Sequence, residues 1–228
     1  MPNIKYDGYE LEYFDSAYNF RNYQISLVKK YLKGNSVEVG PGKGELVKYY
    51  KKYLSSIRLI EPNYKLFSFL KKKYKDKKIK IENKTIYKVK KKFQTIMYFD
   101  VLEHIKKDLN EVRQAQKKLI KNGYLIISVP AHQIFYNKFD KSVGHFKRYN
   151  KKDFKKISIE TNLKIEKIIY YDSFGLLLLI LNKLFNFSNK DLKSKVKIWN
   201  FFIPFSRFID LITFNRFGKS LLCIFKNV

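Results

Sequence analysis

Three kinds of residue in this chain could carry chemistry, and all three gather where apolar runs end. The run Ser36–Val39 leads at once into Gly40-Pro41-Gly42-Lys43-Gly44. Glycines at such a turn allow a tight bend and let a ligand approach the backbone, and a following helix offers free N–H groups. The spacing is neither the dinucleotide G-x-G-x-x-G, because position 45 is Glu, nor the phosphate-binding G-x-x-x-x-G-K-[ST]. Carboxylates stand beside the same run ends: Glu38 just before the loop, Glu61-Pro62 after Ile57–Ile60, and Asp100-Val101 after Phe93–Phe99. An acidic residue closing a second strand can accept both hydroxyls of a ribose. The three histidines, His104, His132 and His145, fall after the fourth and fifth apolar runs, where ligands bind in parallel α/β sheets.

His145 and Asp140 make the preferred base and orienting carboxylate, with His132 as a further candidate. A carboxylate on one ring nitrogen fixes the tautomer and leaves the other to take a proton. Their alternative use is a loop-bracing hydrogen bond. A rival use is metal ligation by Asp100, Glu103, His104 and either His132 or His145, a mixed oxygen and nitrogen set. A helix-start role for Glu103 competes with it, and no metal is expected. Arg148 and Tyr149 could hold an anionic or sugar-bearing acceptor, since a guanidinium suits phosphate; packing of their loop is the alternative.

The elements that must position these groups alternate. Tyr6–Leu32 reads as a helix with an apolar and aromatic stripe, ending at Gly34 in a lead-in over residues 1–34. Short strands are expected at Ser36–Val39, Ile57–Ile60, Ile79–Ile81, Phe93–Phe99 and Tyr124–Val129. Helices are expected from Glu45, over Tyr64–Tyr74 and over Lys107–Lys121, the last capped by Asn122-Gly123. That alternation specifies a parallel α/β sheet in one domain spanning 1–228. Beyond Pro130 come a polar loop, a helix over Lys151–Thr161, a strand near Leu163–Tyr170 and a closing strand over Ser220–Phe225. Between the last two strands lies an apolar helical insertion over 174–217, which Pro204 should break. It could be a lid, a membrane-surface element or a homodimer face.

The motifs resemble those of class I S-adenosylmethionine-dependent methyltransferases. Val37–Gly44 resembles that family's first motif, Leu59–Pro62 its second and Phe99–Ile105 its fourth-strand motif. Pro130-Ala131, Asp140, Gly144-His145, Arg148-Tyr149 and Gly218–Leu221 resemble a bacterial subgroup whose genes often lie near those of sugar and envelope assembly. The resemblance implies a Rossmann-like doubly wound sheet of about seven strands, mostly parallel, with the last strand antiparallel. It implies S-adenosylmethionine as donor and S-adenosylhomocysteine as product. It further implies that Glu38, Gly40, Pro41 and Gly42 lie against the methionine part and that Glu61 and Pro62 lie at the ribose. Thr85 and Ile86 would meet adenine, Asp100, Val101 and His104 would complete the cleft, and Arg21, in the leading helix, would pair with the cofactor carboxylate, with a surface position as the alternative. Position 84, often Gly in the subgroup, is Lys.

The charge balance, 48 Lys and Arg against 20 Asp and Glu, keeps a polyanion in view. Only six of the cations are Arg, the side chain suited to bidentate recognition, and the abundant Lys, Asn, Ile, Tyr and Phe reflect AT-rich coding. The Asp/Asn-Pro-Pro-Tyr/Phe grip of amino-nitrogen base methylation is replaced by Asp100-Val101-Leu102-Glu103. The single cysteine, Cys223, excludes an internal disulfide and falls in the closing strand, away from any carbon-5 chemistry. Nucleic acid is therefore disfavoured, with ribose or ring-nitrogen RNA methylation and a catalytically silent donor-binding scaffold as rivals. The expectation is O-methylation of a small-molecule, sugar or lipid-linked glycan acceptor. The absence of a secretory h-region and the short Leu176–Leu181 run give a cytoplasmic protein, with peripheral contact at the inner membrane face allowed.

Overall fold

The computed structural model describes residues 17–185 and 192–228. Its seven-stranded sheet has the order β3-β2-β1-β4-β5-β7-β6. The strands are β1 (Asn35–Val39), β2 (Ser56–Ile60), β3 (Ile79–Glu82), β4 (Phe93–Phe99), β5 (Leu119–Pro130), β6 (Lys164–Tyr171) and β7 (Ser220–Lys226). The first five pair in parallel; β7 runs antiparallel between β5 and β6, with Ile127 opposite Cys223 and Cys223 opposite Ile168. This is the expected Rossmann-like sheet with its reversed last strand. The chain order reverses between β1 and β4, which opens a crevice at the strands' carboxyl ends.

Side chains alternate between two apolar layers, as the two-residue period of a strand demands. Met97, Phe99, Ile126 and Leu222 face α1 (Tyr18–Val28), α2 (Val47–Tyr50) and α3 (Tyr64–Lys73). Ile96, Tyr98, Ile127 and Cys223 face α4 (Asp108–Lys117) and α6 (Lys151–Thr161). A short α5 (Lys138–Ser142) lies in the loop after β5. The described residues of the insertion form three helices: α7 (Ser173–Phe185), α8 (Leu192–Phe201) and α9 (Ile203–Ile212). Pro204 sits in the first turn of α9, so the break precedes it, as the ring's missing N–H requires. Trp199 and Ile203 join the first layer. No helix among the described residues is long and apolar enough to cross a membrane.

Two boundaries differ from the sequence reading. The helix expected over Lys107–Lys121 ends at Lys117, and β5 begins at Leu119, which pairs with Phe93. Asn122-Gly123 is a kink inside that strand rather than a helix cap: Asn122 has φ 62° and donates its N–H to Asn227 O at 2.6 Å. A Cβ at Gly123 would meet three backbone oxygens at 3.0–3.2 Å, so the close approach itself calls for glycine. The leading helix is described only as Tyr18–Val28 and a tight turn over Lys29–Tyr31; the expected stretch 6–16 lies outside the described residues.

Candidate active site

The glycine turn follows β1 with Gly40 at φ 64° and Gly42 at φ 58°, the left-handed region. A Cβ on Gly40 would come within 3.1 Å of both Val101 methyls, so the turn lies directly against the loop after β4. Gly40 N–H is held by Ile60 O at 2.9 Å, and Gly42 N–H by the Glu61 carboxylate at 3.2 Å. The other Glu61 oxygen accepts from Asn63 N–H at 2.9 Å, while Asn83 braces the Glu61 and Pro62 carbonyls. Glu61 is therefore pinned between the glycine turn and the end of β2. Burial raises its pKa to about 7, against those two backbone donors. Glu38 is buried beneath the turn and accepts the Tyr50 hydroxyl. Burial takes it to about 7 as well; Tyr50 and the Arg21 charge oppose the rise, and nearby Glu61 adds to it.

At the end of β4, Asp100 takes φ 56°, unusual for a residue with a side chain. Its carboxylate pairs with Arg21 Nη1 at 2.9 Å, and Gln24 accepts from the same nitrogen at 3.0 Å. Gln24 in turn bonds Ser128 and Tyr171, tying α1 to β5 and β6. The buried Arg21 Nε has no hydrogen-bond partner among the described residues. Ile86 is fully buried in the second layer and Thr85 precedes it at the turn after β3. Lys84 pairs with Glu82 at 3.4 Å.

The second group of residues is carried by the loop from β5 to α6. His145 Nδ1 lies 2.8 Å from Asp140 Oδ1, and Arg148 Nε bonds both oxygens of that carboxylate at 3.0 and 3.1 Å. Asp140 is held in place by Asn137 in the first turn of α5. Burial works against its charge, but His145 and Arg148 hold it below the usual carboxylate range. An ionised carboxylate has no proton to give, so His145 Nδ1 carries the hydrogen of this bond, while Nε2 lies 3.9 Å from Glu103 Oε1. Phe146 N–H to Glu103 O, at 2.8 Å, fastens this loop to the end of β4. His145 thereby meets His104 edge to face, with ring centroids 4.6 Å apart. Burial, then the nearby His145, lowers His104 to about 4, so it is neutral near neutral pH. Glu103 is buried with neither oxygen bonded among the described residues; burial and then the Asp100 charge push its pKa well up. Glu103, His104 and His145 can each bring one ligand atom within 4.8 Å of the others; Asp100 and His132 are not in that group.

The sequence pattern of the family described as "Methyltransferase domain" matches residues 17–168. The chain belongs to that family. Solved structures share its fold at low identity. A chain of the complex between the Haloferax volcanii Trm112 methyltransferase activator and a methyltransferase has a TM-score of 0.68 at 8% identity, covering 97% of this chain and 94% of that one. Geranyl diphosphate methyltransferase in complex with S-adenosylmethionine gives 0.66 at 9% identity, covering 100% and 93%. Phosphoethanolamine N-methyltransferase 2 of Haemonchus contortus, also with S-adenosylmethionine, gives 0.66 at 11%, covering 96% and 58%. No curated protein sequence matches the chain.

Within this methyltransferase domain the predicted residues fall into two classes. Glu38, Gly40, Gly42, Glu61, Asp100 and Val101 converge on the crevice between β1 and β4, and His104, Asp140 and His145 adjoin it. His132, by contrast, stacks on Tyr170 and lies 3.0 Å through Nε2 from Gly218 O, with its pKa lowered chiefly by burial. Tyr149 is fully buried; its hydroxyl donates to Leu102 O and Asp108, and its ring stacks on Phe154. Arg148 is spent on Asp140, apart from a buried Nη1 without a bonded partner among the described residues. The sequence reading assigned no role to Lys219 or Asp172. Lys219 Nζ sits 3.7 Å over the Trp199 ring and 3.3 Å from Asp172, its pKa lowered by burial although Asp172 opposes this. The only signal was the Gly218–Leu221 motif.

Proposed function

We propose that this methyltransferase domain takes S-adenosylmethionine as donor and methylates a hydroxyl of a small-molecule, sugar or lipid-linked glycan acceptor. The residues present suit that donor. The glycine turn holds Gly40 left-handed and close against Val101, Glu61 stands anchored at the end of β2, and the buried Arg21 Nε is a donor in want of an acceptor. When bound, the sulfonium supplies an already activated methyl group, so the chain's task is to place the acceptor and handle one proton. Glu61 holds the ribose hydroxyls, Glu38 and the glycine turn flank the methionine part, and Thr85-Ile86 border the adenine.

The observation that carries the O-methylation reading is the Asp140–His145 pair beside the crevice. Hydroxyl acceptors need a base, and His145 has one nitrogen held by an ionised carboxylate and the other ready to accept. Arg148 acts as a positioning residue, through Asp140. The test offers labelled donor to separated lipid, glycan, small-molecule and RNA fractions. Label in the lipid or glycan fraction, or in a hydroxylated small molecule, supports the reading. Label confined to RNA overturns it, and donor binding with no transfer to any fraction points to a silent scaffold.

A further inference from the structure

The insertion carries two apolar faces where an ordinary surface helix carries one. On α9, Ile203, Ser206 and Asp210 turn inward and are buried. Phe205, Phe208 and Ile212 recur at three- and four-residue spacing on another side and are more than half exposed. On the neighbouring α7, Leu177, Ile180 and Leu184 repeat the spacing, at 47%, 38% and 69% exposure. The requirements of the core are met by the inner side, through Val196, Trp199 and Ile203. The outer side is a further apolar surface, of the kind that marks a docking site.

We infer that this outer face docks on an anionic lipid bilayer and lies in its interface without crossing it. The charges select that occupant. Lys183, Lys193, Lys197 and Arg216 are exposed on the insertion, Arg207 leans back over the Tyr23 ring at 6.0 Å, and Asp210, the sole acidic residue among the described residues 173–217, is fully buried. An apolar strip whose exposed charges, among the described residues, are all cations matches acyl chains beneath anionic headgroups. A symmetric pair of copies would set these cations against one another with no exposed acidic partner from the described insertion. A lid over the cleft is disfavoured too, since the sides of α8 and α9 turned to the domain are already packed. The face also reaches toward the candidate active site. Lys183 Nζ donates to Ile134 O at 3.2 Å, and Ile134, 71% exposed, lies in the loop that runs from His132 toward His145. The bilayer would therefore sit beside the acceptor's entrance.

Flotation of the whole chain with phosphatidylcholine vesicles, with and without phosphatidylglycerol, tests this. The wild type should float with the mixed vesicles and remain behind with pure phosphatidylcholine. Phe205→Glu/Phe208→Glu should reduce the bound fraction by at least about ten-fold. Lys193→Glu/Lys197→Glu should do the same. Ile159→Glu, which removes a still more exposed apolar side chain on α6, should bind as wild type. Melting temperature and donor binding, read on each variant, separate lost docking from lost folding. Wild type that stays unbound, Phe205/Phe208 variants that still float, or a wild-type dimer dispersed by those same variants would each overturn the proposal. None of these outcomes depends on the acceptor or on the base.

Discussion

Asp140 Oδ1 lies 2.8 Å from His145 Nδ1 and 3.0 Å from Arg148 Nε, so one buried carboxylate orients an imidazole and is itself held by a guanidinium. With His145 as base, His145→Gln should lower turnover by about 10²- to 10⁴-fold. Donor affinity, measured by calorimetry, should stay unchanged. Asp140→Asn should lower kcat less, with acceptor KM near wild type, and Asp140→Glu should restore part of the loss. Undiminished turnover in His145→Gln would remove it as base.

The two crevice carboxyls give a pH dependence of defined sign. Burial takes Glu38 and Glu61 up to about 7 from the ordinary 4.5. Their stabilising contribution is complete below the unfolded value and is lost as pH rises through about 7, because the folded state binds the extra protons. The melting temperature of the ligand-free chain should fall across that window, and Glu38→Gln with Glu61→Gln should flatten the slope. Donor hydroxyls favour the ionised Glu61, so donor affinity should climb through the same range with proton release. Calorimetry in buffers of different ionisation heat reads that release. Glu61→Ala should weaken the donor at every pH, and no donor binding at all by wild type would defeat the cofactor assignment.

Glu103, His104 and His145 invite a test by chelation. If His145 works as a base, turnover should be indifferent to a chelator and to added magnesium or zinc. Glu103→Gln, which keeps the shape of a neutral buried carboxyl, should leave both melting temperature and turnover close to wild type. Activity lost to the chelator and restored by one metal would transfer these three residues to a metal site.

Asp172 is fully buried, accepts from Trp199 Nε1 at 2.9 Å and from Gly175 N–H at 2.9 Å, and pairs with Lys219. Asp172→Ala strands the Lys219 ammonium and should destabilise the chain by about 3–5 kcal/mol. Trp199 is the single tryptophan of the sequence, so its emission during denaturant unfolding reports the loss directly. An unshifted midpoint would show that Asp172 carries no such weight.

The central strands and their polar ends were legible because parallel buried strands read as short apolar runs broken by glycine or acid. Val37–Val39, Leu59-Ile60 and Phe93–Phe99 are such runs; Glu61 and Asp100 follow the last two directly, and Glu38 is the last but one residue of β1. The span of α4 was misread because the alternation of Leu119–Gly123 is short and helix-compatible, while pairing of Leu119 with Phe93 decides the matter across the sheet. Arg21 was expected to meet a ligand; its ion pair with Asp100, 79 residues away, has no local trace in the sequence. The same holds for Asp172, whose partners come from α8 and the lead into β7. His145 and Asp140 were recoverable because they are five residues apart and share one loop.

The tie from Asp172 to Trp199 and Lys219 also bears on how such a domain could be re-engineered. The insertion is bonded to α1 as well, through Tyr23 to Asp210 at 2.8 Å and Phe20 N–H to Asn200 at 3.1 Å. A graft of residues 174–217 alone into another scaffold would leave its anchors behind. A transplant must carry the Tyr23, Asp172 and Lys219 sockets with it, so the portable module is a set of contacts dispersed along the chain rather than a continuous cassette.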